Sequence, residues 1–254
     1  MKLYLKNHTE RYPVEQLQLQ LFAQEPSEFC TEPFTGDGTV SSLSRGKRYL
    51  TATAKVTYQG KTGFAVNRVL LDRADVRATR RILQRSYYLA ALQVLPAAPP
   101  WGALSGVRPT KLSTKCLMAG GSERDAERLL RQTYFVSPER ARLCVDASQH
   151  TVEAAKKLDA DDLSVYIGIP FCPTRCAYCS FVSQSIERFG EFLPAYLDAL
   201  LREIAHTGAL LKNSGFHIRT LYMGGGTPTT LSSTQMARLL DAINRNFDLS
   251  RCLE

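Results

Sequence analysis

The sequence predicts an α/β chain in two parts: an N-terminal α+β domain over residues 1–158, then two βα units of a parallel sheet over 163–254. Three observations predict it. Apolar residues alternate in the strand period through most of the first 70 positions and recur at helical spacing from Asp75 onward. After the polar joint Asp159-Ala-Asp-Asp162 the order strand, loop, helix occurs twice, the pattern of a parallel sheet whose working loops lie at the carboxyl ends of its strands. Charge divides the same way: residues 1–160 carry 24 Lys and Arg against 15 Asp and Glu, a net +9, whereas 161–254 carry 8 against 9.

Taken in order, the first 75 residues read as strands and turns that build a small antiparallel sheet. Leu3-Tyr-Leu5 opens an extended segment, and Thr35-Gly-Asp-Gly-Thr39 is turn chemistry. Tyr49–Tyr58 alternates in the strand period before Gln59-Gly60 turns it back into Gly63–Leu70. Helical spacing from Asp75 to Leu95 stops at Pro96-Ala-Ala-Pro-Pro100, and Trp101–Lys111 is a loop punctuated by glycine and proline. Gly120-Gly121 ends one helix and Ser122 with Asp125 starts the next. Ser137-Pro138-Glu139 supplies an N-cap, an N1 proline and a first-turn acid for a helix reaching about Leu158. In the second part the strands are Leu163–Ile169 and Ile218–Met223. A helix from about Phe189 to Leu211 lies between them, and another opens with the capping box Ser232 and Gln235 and ends near Phe247.

The chain has 254 residues, is 44% hydrophobic and 22% charged, and carries a formal charge of +8. No apolar run approaches the ~18 residues of a membrane span, and Met1–His8 lacks the apolar core of a signal peptide, so a cytoplasmic protein is expected. Seven cysteines, three clustered and four scattered (Cys30, Cys116, Cys144, Cys252), suit a reducing compartment better than a disulfide framework; the scattered four read as small core residues. The densest basic stretch, Arg68 to Arg85, is either a solvated helix face carrying Arg73, Arg77, Arg80 and Arg81 or a site for a polyanion, nucleic acid or polycarboxylate.

The most specific signal is Cys172-x3-Cys176-x2-Cys179, directly after the strand Val165–Phe171. Core thiols on one helix face would have this spacing, but Pro170 and Pro173 oppose a helix here. Structural zinc would want a fourth Cys or His nearby, and none follows. Three thiolates suit a cubane iron–sulfur cluster that keeps one iron open to a small molecule. One strand further on, Gly224-Gly-Gly-Thr-Pro-Thr229 lacks the Rossmann spacing and by itself reads as a tight turn. Beside the cysteine loop it also reads as bare backbone that a ligand headgroup can approach.

The cysteine run with Tyr178 before its last member, followed by Gly224-Gly-Gly-Thr-Pro228, resembles the radical S-adenosylmethionine (SAM) superfamily, specifically the oxygen-independent coproporphyrinogen III oxidase group. Tyr166–Cys176 and Trp101–Lys111 resemble the HemZ branch of that group. The resemblance implies a partial TIM-type barrel, of which this chain holds the first two βα units. It implies a [4Fe–4S] cluster on Cys172, Cys176 and Cys179, and S-adenosyl-L-methionine bordered by Tyr166, Tyr178, Gly225, Gly226 and Thr227. The implied chemistry is oxidative decarboxylation of coproporphyrinogen III to protoporphyrinogen IX in haem biosynthesis, by a 5′-deoxyadenosyl radical that takes hydrogen from a propionate. The implied partners are a tetrapyrrole substrate and an electron donor such as flavodoxin or ferredoxin, with no membrane and no nucleic acid.

Three departures qualify the match. Gly168 stands where the oxidases often carry His, and Phe181 where they carry a further cysteine; Cys179-Ser-Phe181 is closer to the haem chaperones of the family. The chain also ends at Glu254, before a parallel barrel could close, so a truncated or split form is expected. A haem chaperone and a radical enzyme acting on RNA are the alternative functions.

Overall fold

A computed structural model describes all residues, Met1–Glu254, in two compact units, Met1–Ala155 and Lys156–Glu254. The first unit opens with β1 (Lys2–Lys6), α1 (Tyr12–Leu21), β2 (Glu28–Cys30), β3 (Gly38–Arg45), β4 (Tyr49–Tyr58) and β5 (Lys61–Leu70). The sheet runs β2-β1-β3-β4-β5. β3, β4 and β5 pair antiparallel, but β1 is parallel to both β2 and β3, so the sheet is mixed rather than antiparallel. The cause is α1, a crossover that returns the chain in its original direction. Gln16-Leu-Gln-Leu-Gln-Leu21 alternates as a strand would, which hides the helix. Pro13 in the first turn and burial of Pro13, Val14, Leu17 and Gln18 on one face decide for the helix, while Leu19 lies exposed.

A short 3-10 turn holding Arg73 leads to α2 (Val76–Ala91), capped by Asp75, whose carboxylate accepts from the Ala78 amide at 2.6 Å. Leu83, Tyr87, Ala90 and Ala91 pack onto Leu3, Ala52, Ala54 and Val56 of the sheet. The helix stops before Leu95 because Gln93 turns to the edge strand: its amide donates to the Phe64 carbonyl at 2.9 Å, and its Oε1 accepts from the Phe64 N–H at 3.2 Å. Arg77, Arg80 and Arg81 face solvent, with Arg80 paired to Glu10 at 2.7 Å. A helical layer follows: α3 (Pro109–Met118), α4 (Glu123–Arg128) with the Ser122/Asp125 capping box, a π-type turn Leu129–Thr133, and α5 (Pro138–Ala155). Cys144 is buried in its core, and Cys116 and Cys252, half-buried, pack against the cores of their units; of the four scattered cysteines only Cys30 lies outside a core.

The second unit contains β6 (Asp162–Ile169), β7 (Phe171–Cys172), β8 (Gln184–Ser185), α6 (Ile186–Phe189), α7 (Leu193–Leu211), β9 (His217–Gly225) and α8 (Ser233–Asn246). α7 begins at Leu193 rather than Phe189, because a 3-10 turn at Gly190–Phe192 intervenes and Pro194 sets the first α-helical turn. α8 carries the Ser232/Gln235 capping box. β6 and β9 are parallel, in register from Val165 opposite Leu221 to Ile169 opposite Gly225. Ile167, Ile169 and Ile218 pack with Leu197, Leu200, Ile204, Leu239 and Ile243 of α7 and α8. The opposite face exposes Tyr166 and Tyr222, whose rings stack at 5.8 Å. At the amino end Arg219 donates to the carbonyls of Arg251 and Lys157 and lies 3.4 Å from Asp162, whose side chain is 2% exposed. No helix is long and apolar enough to cross a membrane.

A Cβ added at Gly63 on β5 would run into the Ala90 carbonyl of α2. Gly63→Ala should therefore lower stability by about 1–3 kcal/mol, read as a lower melting temperature by circular dichroism, while Leu19→Gln on the exposed face of α1 should leave it nearly unchanged.

Candidate functional site

The carboxyl ends of β6 and β9 lie side by side, so the cysteine loop that follows β6 and the triglycine that ends β9 meet. The two loops are bonded backbone to backbone. The Gly226 N–H donates to the Ile169 carbonyl at 2.8 Å, and the Thr227 N–H donates to the Phe171 carbonyl at 2.8 Å. That second carbonyl also accepts from Thr230 Oγ1 at 3.3 Å. Glycine is required twice here. Gly225 has φ +106°, a conformation side chains rarely adopt, and a Cβ at Gly226 would lie 2.6 Å from the Phe171 oxygen and 2.8 Å from Cys172 Sγ.

Cys172 ends β7, which pairs with β8, and is buried against this glycine; Thr227 Oγ1 donates toward its sulfur at 3.5 Å. Cys176 is exposed and Cys179 half-buried in one turn, closed by the Cys179 N–H donating to the Cys176 carbonyl at 3.1 Å. Tyr178, 90% exposed, neighbours both. Its phenol is raised above the ordinary range by its hydrogen bond with Cys176 first, then by the charge of that thiolate, with burial and Cys179 contributing less.

The structure thus brings Cys172, Gly225, Gly226 and Thr227 together, and separately Cys176, Tyr178 and Cys179. It does not gather the three cysteines: no group of three or more His, Cys, Asp or Glu side chains is arranged to hold a metal ion. By type the residues fit an iron–sulfur cluster, since the donors are thiols and Gly226 leaves bare backbone beside Cys172. Sequence reasoning missed Tyr196, whose hydroxyl donates to the Gly168 carbonyl at 2.5 Å, and Tyr222, the stacking partner of Tyr166. Aligning the two strands by their terminal glycines would have paired the tyrosines, which sit opposite each other in the register.

The chain is similar to several known proteins. The oxygen-independent coproporphyrinogen-III oxidase-like protein HemZ of Bacillus subtilis is 31% identical over 238 residues, covering 92% of this chain and 46% of HemZ. The chain belongs to the HemN/HemZ-like radical SAM family. Other members match the HemN/HemZ-like chain over shorter spans: the Escherichia coli oxygen-independent coproporphyrinogen III oxidase at 35% over 102 residues, 40% of this chain and 22% of the relative, and the Bacillus subtilis heme chaperone HemW at 42% over 82 residues, 32% and 21%. The chain therefore spans half or less of the length of these relatives. The solved structure of the Escherichia coli coproporphyrinogen III oxidase HemN, a radical SAM enzyme, is 35% identical over 39% of this chain and 22% of its own, with a TM-score of 0.32. No family model matches.

Burial orders the thiols. Alkylation of the native protein with iodoacetamide, followed by mass spectrometry, should modify Cys176 first and Cys172 and Cys144 last. Gly226→Ala, by displacing the loop from Cys172, should speed labelling of Cys172 by ~5-fold or more without changing that of Cys144.

Proposed function

We propose that this chain is the cofactor-bearing part of a cytoplasmic radical SAM oxidoreductase acting on the propionates of coproporphyrinogen III, in haem biosynthesis. The observation that carries the proposal is the contact of Cys172 with bare backbone at Gly226, where two adjacent parallel strands end. Cys172, Cys176 and Cys179 would hold the [4Fe–4S] cluster, and Tyr166, Tyr178, Gly225, Gly226 and Thr227 would border S-adenosyl-L-methionine. When bound, the cluster supplies the electron that cleaves a carbon–sulfur bond of S-adenosyl-L-methionine.

The protein's own residues orient and exclude. Thr227 fixes the Cys172 sulfur through its hydroxyl, and Gly225-Gly226 expose peptide groups to a headgroup without steric cost. Phe171, packed edge-on against Tyr196 at 5.5 Å, backs Cys172 with apolar surface and keeps water from that side. The stacked Tyr166 and Tyr222 face the side of the sheet that would turn inward in a partial TIM-type barrel. Relatives that are coproporphyrinogen III oxidases support this choice of substrate, and the electron would come from a donor such as flavodoxin or ferredoxin.

A haem chaperone role is the second reading. It is favoured by Phe181 in place of a further cysteine and by the 42% identity to HemW over 82 residues.

Anaerobic reconstitution should load about four iron per chain, and Ser in place of Cys172, Cys176 or Cys179 should each abolish it, while Ser at Cys30, Cys116 or Cys252 should not. Equal iron in a triple variant would overturn the cluster assignment. With reductant and S-adenosyl-L-methionine, carbon dioxide release and vinyl formation from coproporphyrinogen would support the oxidase; haem retention without decarboxylation would move the assignment to the chaperone.

A further inference from the structure

The first unit contains an open cleft of about 730 Å3 bordered by the end of α2, the α4–α5 connection and Pro99. That volume is in the range that takes a small organic molecule. The floor is apolar: Phe135 stacks on the buried Tyr88 with ring centroids 5.0 Å apart at 27°, and Leu92 and Val136 flank it. The rim carries Arg124, Arg128 and Arg131 against one acid, Glu127. Arg131 pairs with Glu127 at 3.1 Å and Arg128 with Asp125 at 3.0 Å, both exposed contacts worth little, and Arg124 has no acidic partner. Arg85 adds a further positive charge, lying 4.8 Å over the Phe135 ring and donating to the Gln132 carbonyl at 3.1 Å.

Two features mark the cleft as built rather than left over. Phe135 has φ +60°, an uncommon conformation for a bulky side chain, and its neighbours hold it there: the Ala103 N–H donates to the Tyr134 carbonyl at 2.7 Å, and the Ser137 N–H to the Pro100 carbonyl at 2.9 Å. Tyr88, fully buried, stacks on the Phe135 ring. The π-type turn Leu129–Thr133, a form that recurs at functional sites, sets Arg131 and Gln132 on the rim.

We propose that this cleft binds a flat, largely apolar organic anion, its ring against Phe135 and its acid group on Arg124, Arg128 and Arg131. Guanidinium groups match carboxylate and phosphate alike, so the acid could belong to a tetrapyrrole propionate or to a nucleotide.

The test uses the 254-residue chain without cluster, so its failure leaves the functional proposal standing. Fluorescence titration with 1-pyrenebutyrate should show binding ~10-fold tighter than with its uncharged methyl ester. The pair Arg124→Gln and Arg131→Gln, exposed and so harmless to folding, should weaken the acid ~10-fold and leave the ester unchanged. Displacement of the probe by coproporphyrin would identify a carboxylate source, and displacement by ATP a phosphate source. Equal binding of acid and ester, an arginine pair within about twofold of wild type, or displacement by neither competitor would overturn the proposal.

Discussion

Two stretches of backbone meet in the second unit with no side chain between them. Ile169–Cys172 lies against Gly225-Gly226, and hydrogen bonds from the Gly226 and Thr227 amides close the gap. This approach depends on the in-register pairing of β6 with β9, which ends both strands at one level, and on α7 and α8 holding the far face of the pair. Any β-carbon at Gly226 would part the loops and release Cys172 from its only buried setting. The cysteine loop has chemistry to offer because a neighbouring loop has given up its side chains.

Fold elements with chemical punctuation were legible in the sequence. The capping boxes Ser122/Asp125 and Ser232/Gln235 form as their spacing requires, and β4 spans Tyr49–Tyr58 as its alternation requires. Where tertiary packing outvotes local pattern, the sequence misleads. The run Gln16–Leu21 alternates like a strand yet folds as α1, because burying Val14 and Leu17 against the sheet outweighs a period-two signal, and the sheet becomes mixed as a result. Gln93 ends α2 through a long-range pairing with Phe64 that no local window contains.

For the site, the residue types were legible from spacing, because three thiols in a run broken by Pro173 and a triglycine after a strand leave few structural uses. Their arrangement was not. Cys172 is fixed by β7 and Gly226, while Cys176 and Cys179 sit on a turn held by one local hydrogen bond, so chain geometry alone does not bring three sulfurs to a point. Cluster binding would supply that convergence, as metal sites often form only with their metal. The cleft beside Phe135 was illegible for a different reason: its arginines are scattered among ordinary helix-surface charges, and a left-handed phenylalanine carries no sequence signature.

Arg219 fastens the opposite end of the strand pair, gripping the carbonyls of Lys157 and Arg251 beside the buried Asp162. The second unit is thereby anchored where no candidate chemistry lies. Substitutions between Pro173 and Val182 touch neither that clamp nor the packing of Leu197 and Leu239, and so exact little from the fold. Such separation leaves the loop between Pro173 and Val182 free to vary while the scaffold beneath it is kept intact.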